Sequence, residues 1–309
     1  MKHNRWGVIY CPTEGSWRRS RRWRRICAYL EAKGQPFDFV QSEGPNSVER
    51  LAAMLTSNGY GTIIVVGGDA ALGDALNGIV KTASSPNEYP RLGVIPNGIL
   101  NDFARFWGFQ TTRYEETIDA LLQGRTRMVD VGHVRLTAIN GEQEDRYFLN
   151  CINVGIAARI IQVRRQHHRF GRGMLLPSMI SNILMLILKR HSSRMALYID
   201  GQHTFRHYAT LCIGSCVGFG QTPSASPYNG LLDVSAVQRP RLLQAFTGIL
   251  LLFRHRFLSQ KGISVWRTPR VEVSKIGNVP VSVDGHALRR HITAFTVDVQ
   301  REVLPFLIP

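Results

Sequence analysis

Acidic residues are scarce in this chain of 309 residues, which has 22 Asp and Glu against 38 Lys and Arg. The formal net charge is therefore +16 at pH 7. Because so large a positive excess attracts polyanions, the expected partner is either a nucleic acid or an anionic bilayer surface. Charge alone does not choose between these two partners.

Cysteine is also rare, and the five cysteines form none of the CxxC pairs that are typical of zinc or redox sites. This pattern predicts reduced thiols in a cytosol and no disulfides. The N-terminus lacks the apolar stretch and the small-residue cleavage site of a signal peptide, so export by that route is not expected. We therefore predict a cytoplasmic protein.

Long apolar runs are missing as well. The apolar stretches at residues 174–188 and 242–253 both fall short of the roughly 20 residues that a membrane-spanning helix needs. Arginine and lysine residues border both stretches, which leaves an interfacial helix and a buried core helix as alternatives. Low-complexity tracts are absent, so we expect the chain to be ordered.

An arginine-rich segment lies near the N-terminus, interleaved with Trp17 and Trp23. Beside a bilayer, such a segment would combine attraction to phosphates with insertion of aromatic rings. The alternative is a solvated face of the first helix. The arginines are Arg18, Arg19, Arg21, Arg22, Arg24 and Arg25.

Residues 1–130 alternate short β-rich runs with helical patterns, which is typical of a parallel sheet covered by helices on both faces. The predicted strands are residues 6–10, 37–40, 62–66 and 92–95, and the predicted helices include residues 16–32 and 47–55. We expect a doubly wound, Rossmann-like α/β domain for nucleotide binding in this half.

After Asp130, β-branched and aromatic segments separated by turn residues dominate the sequence. The predicted strands are residues 130–136, 146–154, 194–199, 205–213, 232–235, 264–273, 279–283 and 292–299. Asn140-Gly141 and Asp200-Gly201 predict tight hairpin turns. We expect a β-sandwich domain over residues 131–309, with the return of its last strand to the first domain left open.

A glycine-rich turn follows the predicted strand that ends at Val66. Apolar residues at helical spacing come next, so the turn lies at a helix N-terminus. Free backbone N–H groups and the helix dipole favour phosphate at that position, and nucleotides bind there in doubly wound sheets. Glycines at such a junction are also common for structural reasons alone. The turn is Gly67-Gly68-Asp69-Ala70-Ala71.

A second strand-to-helix turn begins at Pro96, which ends its strand because proline has no backbone N–H to donate. Asn101 or Asp102 can cap the helix that follows. Phe103, Phe106 and Trp107 form the apolar stripe of that helix.

The two turns together resemble the Gly-Gly-Asp-Gly-Thr and Pro-x-Gly-Thr-x-Asn-Asp-Phe-Ala-Arg motifs of the diacylglycerol kinase catalytic domain and bacterial lipid kinase family, in the same order. Further segments resemble the family from end to end of the chain. They are Asn153-x-Gly155-x-x-Ala158, Asn229-Gly230-Leu231-Leu232-Asp233 and Val283-Asp284-Gly285-His286.

This resemblance implies that the protein transfers the γ-phosphoryl group of ATP, with Mg²⁺, to the hydroxyl of diacylglycerol or a related lipid at the inner membrane face. Asp284 and His286 would lie at the reaction centre, with Asp284 as the preferred base. Ser226, Asn229 and Leu231 would form a structural magnesium loop. The nucleotide would contact Gly67, Gly68, Asp69, Ala70, Ala71, Asn77, Gly98, Ile99, Asn101, Asp102 and Gln41.

The chain departs from the family at several of these positions. Ala70 and Ala71 replace Gly and Thr, at a cost of about 1 kcal/mol or more if residue 70 keeps a positive φ. Ile99 removes a second hydroxyl, and Asn229 weakens the magnesium loop by one charge. His286 replaces an acidic base and offers no carboxylate to a metal.

Two other functions are therefore hypotheses. A lipid-binding pseudokinase of the same fold is compatible with the altered turn. An NAD kinase shares the Gly-Gly-Asp turn and the two-domain plan, but the Asn-Asp-Phe-Ala-Arg helix favours a lipid kinase. No nucleic-acid motif is present, so nucleic acid is not an expected partner. Oligomeric state is left open, with a homodimer among the alternatives.

Overall fold

The computed structural model describes residues 5–12, 17–44, 47–98, 101–167, 192–216, 225–238 and 262–309. Ile99 and the two apolar stretches at residues 174–188 and 242–253 lie outside these ranges. Within the described ranges, no helix is both long enough and apolar enough to cross a bilayer.

Parallel strands form the sheet of the N-terminal half, in the spatial order β4-β3-β1-β2. The strands are β1 (Trp6–Tyr10), β2 (Phe37–Gln41), β3 (Thr62–Gly67) and β4 (Arg91–Pro96). The helices are α1 (Trp17–Ala32), α2 (Ser47–Ser57), α3 (Asp69–Thr82), α4 (Asp102–Phe106) and α5 (Tyr114–Leu122), with a short 3-10 turn at Pro86–Glu88. Strands β1 and β3 are buried along their whole length, which explains their nearly continuous apolar sequences.

Antiparallel pairing dominates the C-terminal half. Its elements are β5 (Thr126–Ala138), β6 (Gln143–Phe148), β7 (Cys151–Gly155), α6 (Ile156–His167), β8 (Ser193–Ile199), β9 (Gln202–Gly214), β10 (Leu232–Gln238), β11 (Ile263–Thr268), β12 (Arg270–Ser274), β13 (Val281–Val283), β14 (His286–Ala287) and β15 (Ile292–Leu307). The predicted plan of an α/β half followed by a β half is confirmed.

Two of the predicted strands are wrong because each is two strands. Residues 264–273 divide into β11 and β12 at Pro269, which cannot donate to a strand ladder. Residues 146–154 divide into β6 and β7 at Leu149 and Asn150, whose N–H groups bind a side chain from a distant part of the sequence.

The last strand, β15, joins the two halves. It pairs antiparallel with β5 and β12, and near its end Phe306 pairs in parallel with Leu92 of β4. Strand β5 also serves both cores, with Val129 in the first and Val134 in the second. The boundary at residue 130 therefore stays a prediction, since one strand crosses it without a break.

Helix α1 packs its apolar face on the sheet. The Trp23 ring stacks on Tyr10 with 4.5 Å between centroids and meets Phe39 edge-on. Because Trp23 belongs to the core, the interpretation that its ring inserts into a bilayer is wrong. Arg24 and Arg25 lie on the exposed face of the helix.

Candidate active site

The two predicted turns touch each other through their glycines. A Cβ atom added at Gly98 would lie 2.6 Å from the Cα of Gly68, and one added at Gly68 would lie 3.1 Å from the Cα of Gly98. The close approach follows from the pairing of Gly67 with Pro96 at the ends of neighbouring parallel strands. The two turns thus form one continuous surface, and only glycine leaves room for the contact.

Asp69 links the two turns through its side chain. Its carboxylate, at the start of α3, accepts the N–H groups of Asp102 at 2.9 Å and Phe103 at 3.1 Å. Asp69 therefore caps α4, and the prediction of a local cap from Asn101 or Asp102 is wrong. Burial raises the pKa of Asp69, although the two backbone N–H groups act in the opposite direction.

Asn101 holds the second turn closed on itself. Its Oδ1 accepts the N–H of Gly98 at 3.0 Å, and its Nδ2 donates to the carbonyl of Gly98 at 3.1 Å and to Thr111 at 2.9 Å. The residue has a φ of 51°, in the left-handed region that asparagine tolerates better than most residues. Asp102 forms an ion pair with Arg105 on the exposed side.

Among the described residues, no side chain caps the N-terminus of α3. The helix begins at Asp69, and Gly68 precedes it in an extended conformation. Ala70 lies in the first helical turn and has no positive φ, so the expected strain at this position is absent. The first N–H groups of a helix have no intrahelical partner, which leaves those of Asp69, Ala70 and Ala71 available to a phosphate.

Asp284 lies deep between the two halves, with only 3% of its surface exposed. Its carboxylate accepts three backbone N–H groups, from Leu149 at 2.8 Å and from Asn150 and Cys151 at 2.9 Å each. It also packs on α3, where a Cβ added at Gly73 would lie 2.8 Å from Oδ2. Burial raises the pKa of Asp284 to about 7, against the effect of the three N–H donors.

His286 contacts α3 through its imidazole ring. Its Nε2 lies 3.0 Å from Oδ2 of Asp74, and both side chains are largely buried. Gly285, which precedes His286, lies over the start of the helix, where an added Cβ would be 3.9 Å from Cβ of Ala70. The β13–β14 hairpin therefore brings an imidazole to the same helix that offers its N-terminus at the glycine turn.

Cys11 and Gln41 also lie at this edge of the sheet, whereas Asn77 lies inside α3. Cys11 follows β1 and stands 3.4 Å from a Cβ added at Gly67, and burial raises the pKa of its thiol to about 12. Gln41 ends the edge strand β2 and is exposed. The Asn77 side chain donates to the carbonyls of Gly73 and Tyr147, and its Oδ1 accepts the N–H of Tyr147. The amide of Asn77 therefore joins α3 to β6, and a nucleotide contact there stays a prediction.

The predicted magnesium loop does not fit a metal ion. Of its three residues, Asn229 uses Oδ1 to accept the N–H of Leu231 at 2.9 Å, and the side chain of Ser226 is a neutral hydroxyl. None of the three carries a carboxylate, and the Arg301 side chain lies against the neighbouring Gly230. No group of three His, Cys, Asp or Glu in the described ranges could hold a metal.

Sequence reasoning missed two carboxylates that the structure makes important. Asp74 is the only acidic residue of α3 besides Asp69, and apart from Asn77 it is the only polar residue of a buried segment. Its place in that segment was a usable signal. Asp130 is fully buried and binds the N–H groups of Gly230 and Glu302. Nothing near it in the sequence indicates those partners, which are far along the chain.

Family comparisons agree with this arrangement. Residues 5–134 match the diacylglycerol kinase catalytic domain, and residues 150–307 match the YegS C-terminal NAD kinase beta sandwich-like domain. A diacylglycerol kinase of Staphylococcus saprophyticus is 25% identical over 96% of both chains. A diacylglycerol kinase of Bacillus subtilis is 22% identical over 90% of this chain and 88% of that protein.

Solved structures show the same fold. A diacylglycerol kinase structure from Bacillus anthracis str. Sterne superposes with a TM-score of 0.69 at 17% identity, covering 100% of this chain and 98% of that one. The structure of yeast NADH kinase complexed with NADH superposes with a TM-score of 0.55 at 10% identity, covering 99% of this chain and 83% of that one. The two family matches span nearly the whole chain, from the glycine turns to β15. The chain belongs to the diacylglycerol kinase and bacterial lipid kinase family.

Proposed function

We propose that this protein transfers the γ-phosphoryl group of ATP to the hydroxyl of diacylglycerol or a related lipid alcohol, in the cytoplasm at the inner membrane face. One observation carries the proposal. The uncapped N-terminus of α3 meets both the Gly98 turn and the hairpin that bears His286. Helix α3 thus presents the backbone amides that would bind phosphate and also holds the imidazole of His286.

The nucleotide phosphates would lie along the backbone of residues 67–71 and Gly98. Backbone N–H groups supply this contact, so alanine at positions 70 and 71 provides the same donors as glycine and threonine. The carboxylate oxygens of Asp69 and Asp284 already accept backbone N–H groups. Magnesium would therefore arrive bound mainly to the phosphates, where it neutralises their charge.

We place the general base at His286 rather than at Asp284. Asp284 is bonded by three backbone N–H groups and buried, so it holds the hairpin in place. His286 would take the proton of the lipid hydroxyl as its oxygen attacks the γ-phosphorus, and the adjacent carboxylate of Asp74 would stabilise the resulting imidazolium. Asp74 acts through His286 and is a positioning residue.

A phosphoryl-transfer assay against a panel of lipid alcohols tests this function. We expect His286→Asn to lower kcat by about 10²- to 10⁴-fold, the usual contribution of a general base. Asp74→Asn should lower kcat by less and shift the pH profile of kcat. The substitution removes the carboxylate beside the His286 imidazole and leaves the nucleotide site intact.

Asp298→Asn is the matched control, because Asp298 pairs with His133 at 3.1 Å outside the site. Its kcat should equal that of the unmodified protein. Equal activity of His286→Asn and Asp298→Asn would remove His286 from the mechanism. Calorimetry with ATP and magnesium separates the kinase from a pseudokinase, since absence of ATP binding would contradict the whole proposal.

A further inference from the structure

The turn that leads into β10, residues 225–231, is fixed from beneath by Asp130. This carboxylate has no exposed surface. Its Oδ2 accepts the N–H of Gly230 at 2.6 Å, and its Oδ1 accepts the N–H of Glu302 at 2.9 Å. The N–H of Asp130 donates to the carbonyl of Pro227 at 2.7 Å. One buried residue thus binds the turn at two points and ties it to β15.

Arg301 covers the same turn from the outside. A Cβ added at Gly230 would lie 2.8 Å from Cδ and 2.9 Å from Cζ of Arg301. The register of β15 shifts between Gln300 and Leu304, and Glu302 has a φ of 48° there. This irregularity brings Arg301 over Gly230 and leaves the N–H of Glu302 for Asp130.

A second arginine braces the turn. The guanidinium carbon of Arg127 lies 3.7 Å from the ring centre of Tyr228, within the range of a cation–π contact. Tyr228 also packs against Trp107 with 5.9 Å between centroids. The turn is therefore bordered by two guanidinium groups, each of which brings a positive charge.

The oxygen ligands that a divalent cation needs are either absent from this turn or already hydrogen-bonded. Mg²⁺ is bound in proteins through carboxylates and waters in octahedral geometry. Here the predicted ligands are a hydroxyl, a carbonyl and an amide oxygen that already accepts an N–H at 2.9 Å. The nearby guanidinium of Arg301 adds repulsion to any bound cation. The hydroxyl of Ser226 lacks a hydrogen-bond partner in the described ranges, but one neutral oxygen does not make a site.

We propose that this turn folds without a metal ion, and that the guanidinium of Arg301 supplies the positive charge that magnesium supplies in the family's loop. Asp130 anchors the inner side of the turn and Arg301 the outer side. The magnesium requirement of the protein is then confined to the nucleotide.

Thermal unfolding of the full chain without nucleotide tests the inference and does not depend on activity. The unfolding midpoint Tm should be the same in EDTA and in excess MgCl₂ at matched ionic strength. A structural ion whose dissociation constant is about a hundredfold below the MgCl₂ concentration would raise Tm by several degrees. A saturable rise of Tm with MgCl₂ would overturn the proposal.

Substitution of the guanidinium gives an independent readout. Arg301→Met keeps the aliphatic stem and should lower Tm by about 2 °C or more. Arg206→Met, at an exposed arginine in β9, is the matched control and should change Tm less. Equal shifts for the two variants would contradict a special role of Arg301. Should Arg301→Met not fold, Arg301→Gln against Arg206→Gln removes the same charge and makes the same comparison.

Discussion

Asp284 has a backbone conformation and a side-chain environment that depend on each other. Its φ of 43° lies in the left-handed region, which costs a residue other than glycine about 1 kcal/mol. That conformation aims the carboxylate at the N–H groups of residues 149–151. Three backbone hydrogen bonds to the carboxyl group offset the backbone strain. The residue therefore fixes where the hairpin meets α3, and with it the position of His286.

The raised pKa of Asp284 predicts a pH dependence of stability. Its folded pKa of about 7 lies above the ordinary value of 3.8, so the folded state holds the proton more tightly. The contribution of this residue is present below about pH 4 and is lost as pH rises to about 7, with a slope of at most about 1.4 kcal/mol per pH unit. Denaturant unfolding of the protein and of Asp284→Asn should give free energies whose difference changes across this window.

Asp119→Asn is the control for that titration. A hydrogen bond from Lys33 lowers the pKa of Asp119, so its contribution is lost only as pH falls below the ordinary carboxyl range. The difference between the protein and Asp119→Asn should therefore stay level from pH 5 to pH 7. Parallel stability curves for the protein and Asp284→Asn would show that Asp284 does not titrate in this window.

At the scale of elements, the contact between the two glycine turns predicts the effect of adding one methyl group. Gly98→Ala would place its Cβ 2.6 Å from both the Cα of Gly68 and Oδ1 of Asn101. The two turns must then separate, so we expect weaker ATP binding by at least about tenfold, or 1.4 kcal/mol, together with a lower Tm. Isothermal titration calorimetry and thermal unfolding measure the two effects.

Gly44→Ala is the matched control for this substitution. Gly44 lies in the segment between β2 and α2, and an added Cβ there meets no atom of the described residues within 4 Å. The variant should bind ATP as the unmodified protein does. If Gly98→Ala also bound ATP normally, the contact of the two turns would have no part in the nucleotide site.

Local patterns predicted the elements well and the contacts between them poorly. Strands β1, β3 and β4 and the two glycine turns follow from apolar runs and from Gly and Pro positions, which are properties of neighbouring residues. The pairing of Asp74 with His286 joins positions more than 200 residues apart. Asp130 likewise binds Gly230 and Glu302, which are 100 and 172 residues away in the sequence. Such pairs depend on how the two halves dock, which no local pattern records.

At the scale of the whole molecule, α3 is the element on which the two halves meet. Asn77 binds the backbone of β6, Gly73 packs on Asp284, and Asp74 pairs with His286. Strand β15 adds a second connection through its pairing with β4. With contacts at both places, the position of the hairpin relative to the glycine turns is set by packing and hydrogen bonds.

The net charge of +16 predicts association with anionic bilayers, and the exposed arginines of α1 are the first place to test it. Each arginine near a membrane surface contributes about 1 kcal/mol. Arg24→Gln/Arg25→Gln should therefore weaken binding to phosphatidylserine liposomes by about 10- to 30-fold. Liposome cosedimentation at increasing NaCl measures this, and binding should fall as salt rises because exposed charges are screened.

Arg206→Gln/Arg270→Gln removes the same charge from exposed positions of β9 and β12 and is the control for that experiment. Because electrostatic attraction decays within a Debye length of about 10 Å, only arginines that face the bilayer contribute strongly. If α1 faces the membrane, the control variant should bind liposomes nearly as well as the unmodified protein. Equal losses for the two variants would show that net charge, rather than α1, drives association. Comparable affinity for duplex DNA at the same salt would instead make nucleic acid the polyanion that this charge attracts.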